Sequence, residues 1–207
     1  MTDRSELERS AAHLVNVALR TLTSEDKRPR VALRRALGRP PEHPAVRAAD
    51  MVIAPALPER RDIATERAFY TVAAMIAAQP REARDETTGK TGEPVPDRPA
   101  VPVAQQETLG ATLGRAVAQA KLREDTTEAR LHLLCRQDVD GIHRHLPRLV
   151  STMRGDLVSV DWARLTVDLA DWGRNRDYVT KRWSQDYYRA LYTTRATQNK
   201  KQKEETK

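Results

Sequence analysis

Few side chains in this sequence stand in patterns that chemistry could use, and most of those patterns are incomplete. TTGKTG, residues 87–92, carries a Gly-Lys-Thr of the kind that cradles phosphates. A phosphate loop also needs a glycine five residues before Gly89, where Arg84 stands, and a strand leading in. DVDG, residues 138–141, lacks the third acidic ligand and the distal glutamate of a calcium loop. His143 and His145 are two apart, so on a helix they face different ways and make a poor metal pair. They read as surface residues beside Arg144 and Arg148. The single cysteine, Cys135, excludes an intramolecular disulfide and a cysteine-based zinc cluster. It falls on an apolar helical face, where burial is expected. Gly110 and Gly114, four apart in LGATLG, read as a close helix–helix contact. No nucleophile–base pair emerges, and the scattered acids assemble no site. No catalytic residue, metal or cofactor is expected.

The stretch DYVTKRWSQDYYRALY, residues 177–192, is different. All three tryptophans (Trp162, Trp172, Trp183) and four of the five tyrosines (Tyr178, Tyr187, Tyr188, Tyr192) fall between residues 162 and 192. Lys181, Arg182 and Arg189 are interleaved with them. At 100° per residue, Val179, Trp183, Tyr187, Ala190 and Leu191 share one arc, which predicts a core face packing with Trp162 and Trp172. Lys181, Arg182, Gln185, Tyr188, Arg189 and Tyr192 occupy the other side. Guanidinium groups around rings at i, i+4 can grip a phosphate backbone and offer a ring to a base. The alternative for that side is an ordinary solvated face. Further basic clusters favour binding: Arg28, Arg30, Arg34 and Arg35 near the N-terminus, and Arg136, Arg144 and Arg148 before the tryptophans. The nucleic-acid-binding candidates are therefore Arg34, Arg35, Arg136, Arg144, Arg148, Lys181, Arg182, Tyr188 and Arg189.

The elements that must position these groups are helical. Leu7, Leu14, Val15, Ala18, Leu19 and Leu22 form a stripe after Ser5, read as an N-cap. KRPRVALRRALG predicts a helix stopped by Gly38 and two prolines, HPAVRAADMVI a short one, and RRDIATERAFYTVAAMIAAQ a stronger one stopped by Pro80. Residues 80–105 hold proline, glycine and charge in a mix that predicts a long exposed flexible loop. Helices resume over ETLGATLGRAVAQAK, TTEARLHLLCRQ and DGIHRHLPRLVSTMRG, the last with Pro147 predicting a kink or a fresh start. SVDWARLTVDLADWG has Ser159 or Asp161 as cap and Gly173 as stop. A final helix over about 177–195 precedes a frayed polar tail, 196–207. The fold expected is all-α, bundles of about eight to nine helices. Its regions are 1–122, 123–195 and the tail.

The 36 Lys and Arg against 29 Asp and Glu give a net charge of +7, a balance that favours polyanionic partners. The longest clean apolar run, VAAMIAA at 72–78, falls far short of the roughly 20 residues a bilayer needs. The N-terminus has no apolar signal segment. A soluble cytoplasmic protein, with no membrane contact, is expected.

Taken in order, ERAFYTVAAMIAAQP, TLGATL, ARLHLLCR, HRHLPRLVSTMRG, VDWARLTVDLADW and VTKRWSQDYYR resemble the small-subunit family, CasB, of the type I-E CRISPR Cascade complex. The resemblance runs from about residue 25 to 190. It rests most on Val160-Asp161-Trp162 taken with Arg182-Trp183 and Tyr187-Tyr188-Arg189. It implies an α-helical, non-catalytic protein present as two copies in an RNA-guided complex. Its partners would be the large subunit, the backbone subunits, a second copy of itself, the crRNA and the target DNA, including the displaced single strand of the R-loop. A helical protein-interaction adaptor, its basic face turned to an acidic protein, is the competing reading. A helical nuclease would need clustered acidic metal ligands.

Overall fold

The computed structural model describes residues 3–88 and 101–205. Among them are nine α-helices, three short 3-10 helices and no strand. The all-α expectation holds.

Helix α1, Arg4–Thr23, buries Leu7, Ala11, Leu14, Ala18 and Leu22 along one stripe. Its cap is Asp3, whose carboxylate accepts from the Ser5 N–H at 3.3 Å, so Ser5 already lies inside the helix. Helix α2, Arg28–Arg35, carries Pro29 in its first turn, and its chain turns away at Gly38, whose φ of 72° suits a residue without Cβ. The expected short helix is broken into a 3-10 turn, Pro44–Ala49, then α3, Asp50–Ile53, then a second 3-10 turn, Ala54–Ala56. Helix α4, Ile63–Ala78, is capped by Asp62, which accepts from the Thr65 N–H at 2.8 Å. From Ala68 to Ala77 every residue is buried, which makes α4 the central helix. Small residues on its flanks let neighbours approach from all sides.

The start of the expected loop is a helix. Residues Arg81–Thr88 form α5, opened by Pro80, and Ala83 is fully buried. Composition pointed to loop because the charges are many, but REARDETT offers one apolar residue to the core and helix formers around it. Residues 89–100, with most of TTGKTG, lie outside the described residues. Beyond them Val103 is buried in a 3-10 turn, Val103–Gln105.

Helices α6, Leu109–Ala118, and α7, Glu124–Cys135, follow. Helix α8, Val139–Gly155, runs through Pro147 without a fresh start. A proline removes one backbone donor, and here buried Leu146, Leu149 and Val150 on either side hold the turns. Helix α9, Trp162–Glu205, departs from helical angles at Asn175 (φ −133°, ψ 39°). Gly173 is therefore not the stop. Trp172 and Trp183 would stand about 16 Å apart along a straight helix, yet their ring centroids are 5.1 Å apart. The two arms, residues 162–174 and 176–205, fold back on each other at Asn175. The second arm stays helical to Glu205, where a frayed tail was expected. One hydrophobic core extends from Leu7 to Leu191.

Candidate nucleic-acid interface

The bend in α9 is pinned from inside. Asp168, on the first arm, is fully buried. Its carboxylate accepts from Arg164 Nε at 2.9 Å, from Arg182 at 2.5 Å and from the Trp183 indole N–H at 2.6 Å. Burial pushes the Asp168 carboxyl upward, against the pull of the Arg164 and Arg182 charges and the indole N–H. Three donors facing two oxygens call for the ionised, acceptor-only form. The pair with Arg164 is i, i+4 on the same arm, whereas Arg182 and Trp183 come from the second arm. The carboxylate thus ties the arms together.

Around that pin, Trp172, Trp183, Tyr187 and Leu191 fill the seam, as the helical arc predicted. Helix α6 closes it from the other side. A Cβ on Gly110 would lie 1.9 Å from the Trp183 carbonyl oxygen, and one on Gly114 would lie 2.1 Å from that of Tyr187. The two glycines are the close helix–helix contact that their spacing suggested.

The outer side of the second arm is less free than a helical projection suggests. Lys181 is exposed. Arg182, committed to Asp168, keeps only 18% of its side-chain surface in solvent. It belongs to the rim of the core as much as to the outer face. Tyr188 is half-buried and donates to Glu128 at 2.5 Å, with His132 3.4 Å away. That hydrogen bond, more than burial, pushes its phenol up to about 12, so it stays neutral. Arg189 is exposed and reaches Asp186 at 3.0 Å, a surface pair of little strength.

The remaining candidates stand on other helices. Arg34 and Arg35 end α2, where cations offset the negative helix terminus. Arg30, one turn earlier, donates to the Ala77 carbonyl at 3.3 Å. Burial, with the nearby Arg84 and Arg34 charges, pulls Arg30 below the ordinary arginine range. That end of α2 is accordingly a site of concentrated positive charge. Arg144 and Arg148 lie one turn apart on α8, both exposed. Arg136 caps the C-terminus of α7, next to the second arm of α9. There the neighbouring Cys135 thiol sits 3.9 Å from the Thr180 carbonyl and the Ser184 hydroxyl. That thiol is half-buried and raised by burial. Arg34, Arg35, Arg136, Arg144, Arg148 and Lys181 are all exposed.

His143 corrects the sequence reading. It is buried, not a surface residue, with Nδ1 2.9 Å from the Thr71 hydroxyl of α4. Burial pushes it down to about 3, with Arg67 adding to the effect, so it is neutral. His145 is exposed on another face. Among the described residues no three His, Cys, Asp or Glu cluster as metal ligands.

The Asp168 pin escaped sequence reasoning, although an acid inside the apolar run of the first arm, four residues after Arg164, is a visible signal. The arrangement offers cations on four helices and rings along α9, held on rigid elements and suited to a polyanion.

The family described as CRISPR-associated protein Cse2 matches residues 29–188. The chain belongs to the Cse2 family. The Cse2 match takes in every candidate except Arg189. A chain of a solved structure described as "CRISPR RNA-guided surveillance complex" is 43% identical, with a TM-score of 0.75 over 90% of this chain and 96% of that one. A second, "CRISPR RNA-guided surveillance complex, pre-nicking", gives the same identity and coverage with a TM-score of 0.76. The crystal structure of M. ruber CasB, 19% identical, shares the fold over 91% of this chain and 97% of that one, with a TM-score of 0.64. No curated protein matches the chain.

Proposed function

We propose that this Cse2-family chain is a non-catalytic subunit of a type I-E CRISPR Cascade complex in the cytoplasm. There it binds nucleic acid without sequence preference and stabilises the R-loop. The observation that carries this reading is 43% identity, over 90% of the chain, to chains of CRISPR RNA-guided surveillance complexes. Its partners are the large and backbone subunits, a second copy of itself, the crRNA, and the target DNA with its displaced strand.

The physical logic is direct. In such complexes the guide reads sequence by base pairing, so a protein holding the displaced strand must accept any sequence. Charge and stacking do that, whereas base-edge hydrogen bonds would not. Arg34, Arg35, Arg136, Arg144, Arg148, Lys181 and Arg189 supply charge. Arg182 and Tyr188, held by Asp168 and Glu128, shape the surface from behind.

Footprinting the displaced strand in the assembled complex tests this reading. Complex carrying alanine at Arg144, Arg148, Lys181 and Arg189 should leave that strand more reactive to a single-strand probe than the parent complex does. Unchanged protection would count against the role. Added magnesium should release no cleavage product from the chain alone.

A further inference from the structure

Two tyrosines of the second arm point away from its core, Tyr178 and Tyr192, 62% and 63% exposed. They stand 14 residues apart, about 21 Å of helix. Lys181, Gln185 and Arg189, all exposed, lie between them at helical spacing on the same stripe. Neither ring is loose. The Arg182 guanidinium sits over the Tyr178 ring, 5.2 Å from its centroid, and is itself fixed by buried Asp168. The Tyr192 ring stacks on Tyr188, with centroids 6.4 Å apart and planes 18° from parallel. Tyr188 is fixed in turn by Glu128. Each outer ring is thus backed by an inner group that a carboxylate holds in place.

Large rings kept in solvent lose apolar burial unless a ligand covers them. Rings already restricted from behind lose less conformational freedom when one does. Between Tyr178 and Tyr192 the chain carries Lys181, Arg182 and Arg189 against Asp186 alone, so the stripe attracts a polyanion.

We infer that this stripe is a stacking track for unpaired bases: Tyr178 and Tyr192 each take a base, and Lys181 and Arg189 hold the phosphates between. The inference rests on the nucleic-acid role proposed above and narrows it. The ligand is a single strand with accessible bases; a duplex, whose bases are stacked inward, does not fit the track.

The test uses the full-length chain and fluorescence anisotropy. Its probes are a labelled mixed-sequence single strand, an abasic strand of equal length and charge, and the matching duplex. The parent should prefer the base-bearing strand to the abasic one. Tyr178→Ala and Tyr192→Ala should each weaken that binding at least about fivefold while leaving affinity for the abasic strand unchanged. Tyr178→Phe and Tyr192→Phe should bind as the parent does, since stacking needs the ring and not the hydroxyl. Equal binding of base-bearing and abasic strands by the parent, or parent-like binding by both alanine variants, overturns the track. So does loss of partner-subunit capture by those variants with strand affinity intact, which would make the stripe a protein contact. In those cases the subunit role stands if the chain still assembles with its RNA. A parent that assembles with no RNA and binds no strand overturns both readings.

Discussion

Replacing Asp168 with asparagine should unfasten the bend in α9. The substitution keeps the shape and one acceptor but removes the charge. Arg164 and Arg182, 6% and 18% exposed, would then lie in the seam without a counter-ion. The new amide would also turn its own N–H groups toward one of the three donors that now converge there. Breaking a buried pair from one side costs about 3–5 kcal/mol, because the remaining charge is left desolvated. For a chain of this length each kcal/mol moves the melting temperature by about 2–4 °C, so a fall of roughly 6–20 °C is expected. Far-UV circular dichroism melts measure it, and near-UV signals report whether Trp172 and Trp183 still pack. Arg182→Ala should cost less, because Arg164 still neutralises the carboxylate. A variant Asp168→Asn that melts within about 3 °C of the parent would refute this account of the pin, as would Arg182→Ala being the more damaging of the two.

Gly114→Ala should destabilise the fold by about 1–3 kcal/mol despite alanine's higher helix propensity. The added Cβ meets the Tyr187 backbone, which cannot swing aside. A urea midpoint at or above the parent's would contradict the close contact. His143 should make the fold acid-sensitive. Its folded value of about 3 lies below the unfolded 6.5, so the unfolded chain takes the proton first. Its contribution is intact above about pH 6.5 and fades as pH falls toward 3, by up to about 1.4 kcal/mol per unit. His143→Gln should flatten that part of a stability–pH profile, and an unchanged profile would exclude His143 as its source. Single-strand binding by the parent should fall with salt at a log–log slope near −3 if about four phosphates are neutralised. Lys181→Ala should make the slope shallower without moving the melt; a salt-independent affinity would point to a different recognition mode.

Local patterns were legible where one helix face decides the outcome. The arc of Val179, Trp183, Tyr187 and Leu191 could be read as core, and Gly110 and Gly114 as a seam, because both follow from helical geometry alone. What escaped depended on contacts between distant segments. Arg182 projects outward on a lone helix, yet the fold at Asn175 brings Asp168 to it. His143 looked like a surface residue until Thr71 of α4 covered it. Proline and charge argued for a loop at 80–88, but α8 reaches α5 with Arg154, which donates to the Ala83 carbonyl at 2.9 Å. The basic candidates on α2, α7 and α8 could be named from sequence as clusters. Their relation to the rings of α9 could not, since periodicity fixes a face within a helix and says nothing of the helix beside it.

Co-purification decides whether this chain serves as a subunit of an RNA-guided complex. The tagged full-length chain is expressed with the other Cascade subunits and a CRISPR RNA, then eluted and sized. One large particle holding the chain, its partner subunits and the RNA should elute, with the chain in more than one copy. Elution of the chain alone, free of RNA and partners, while the other subunits assemble without it, would rule out the subunit role.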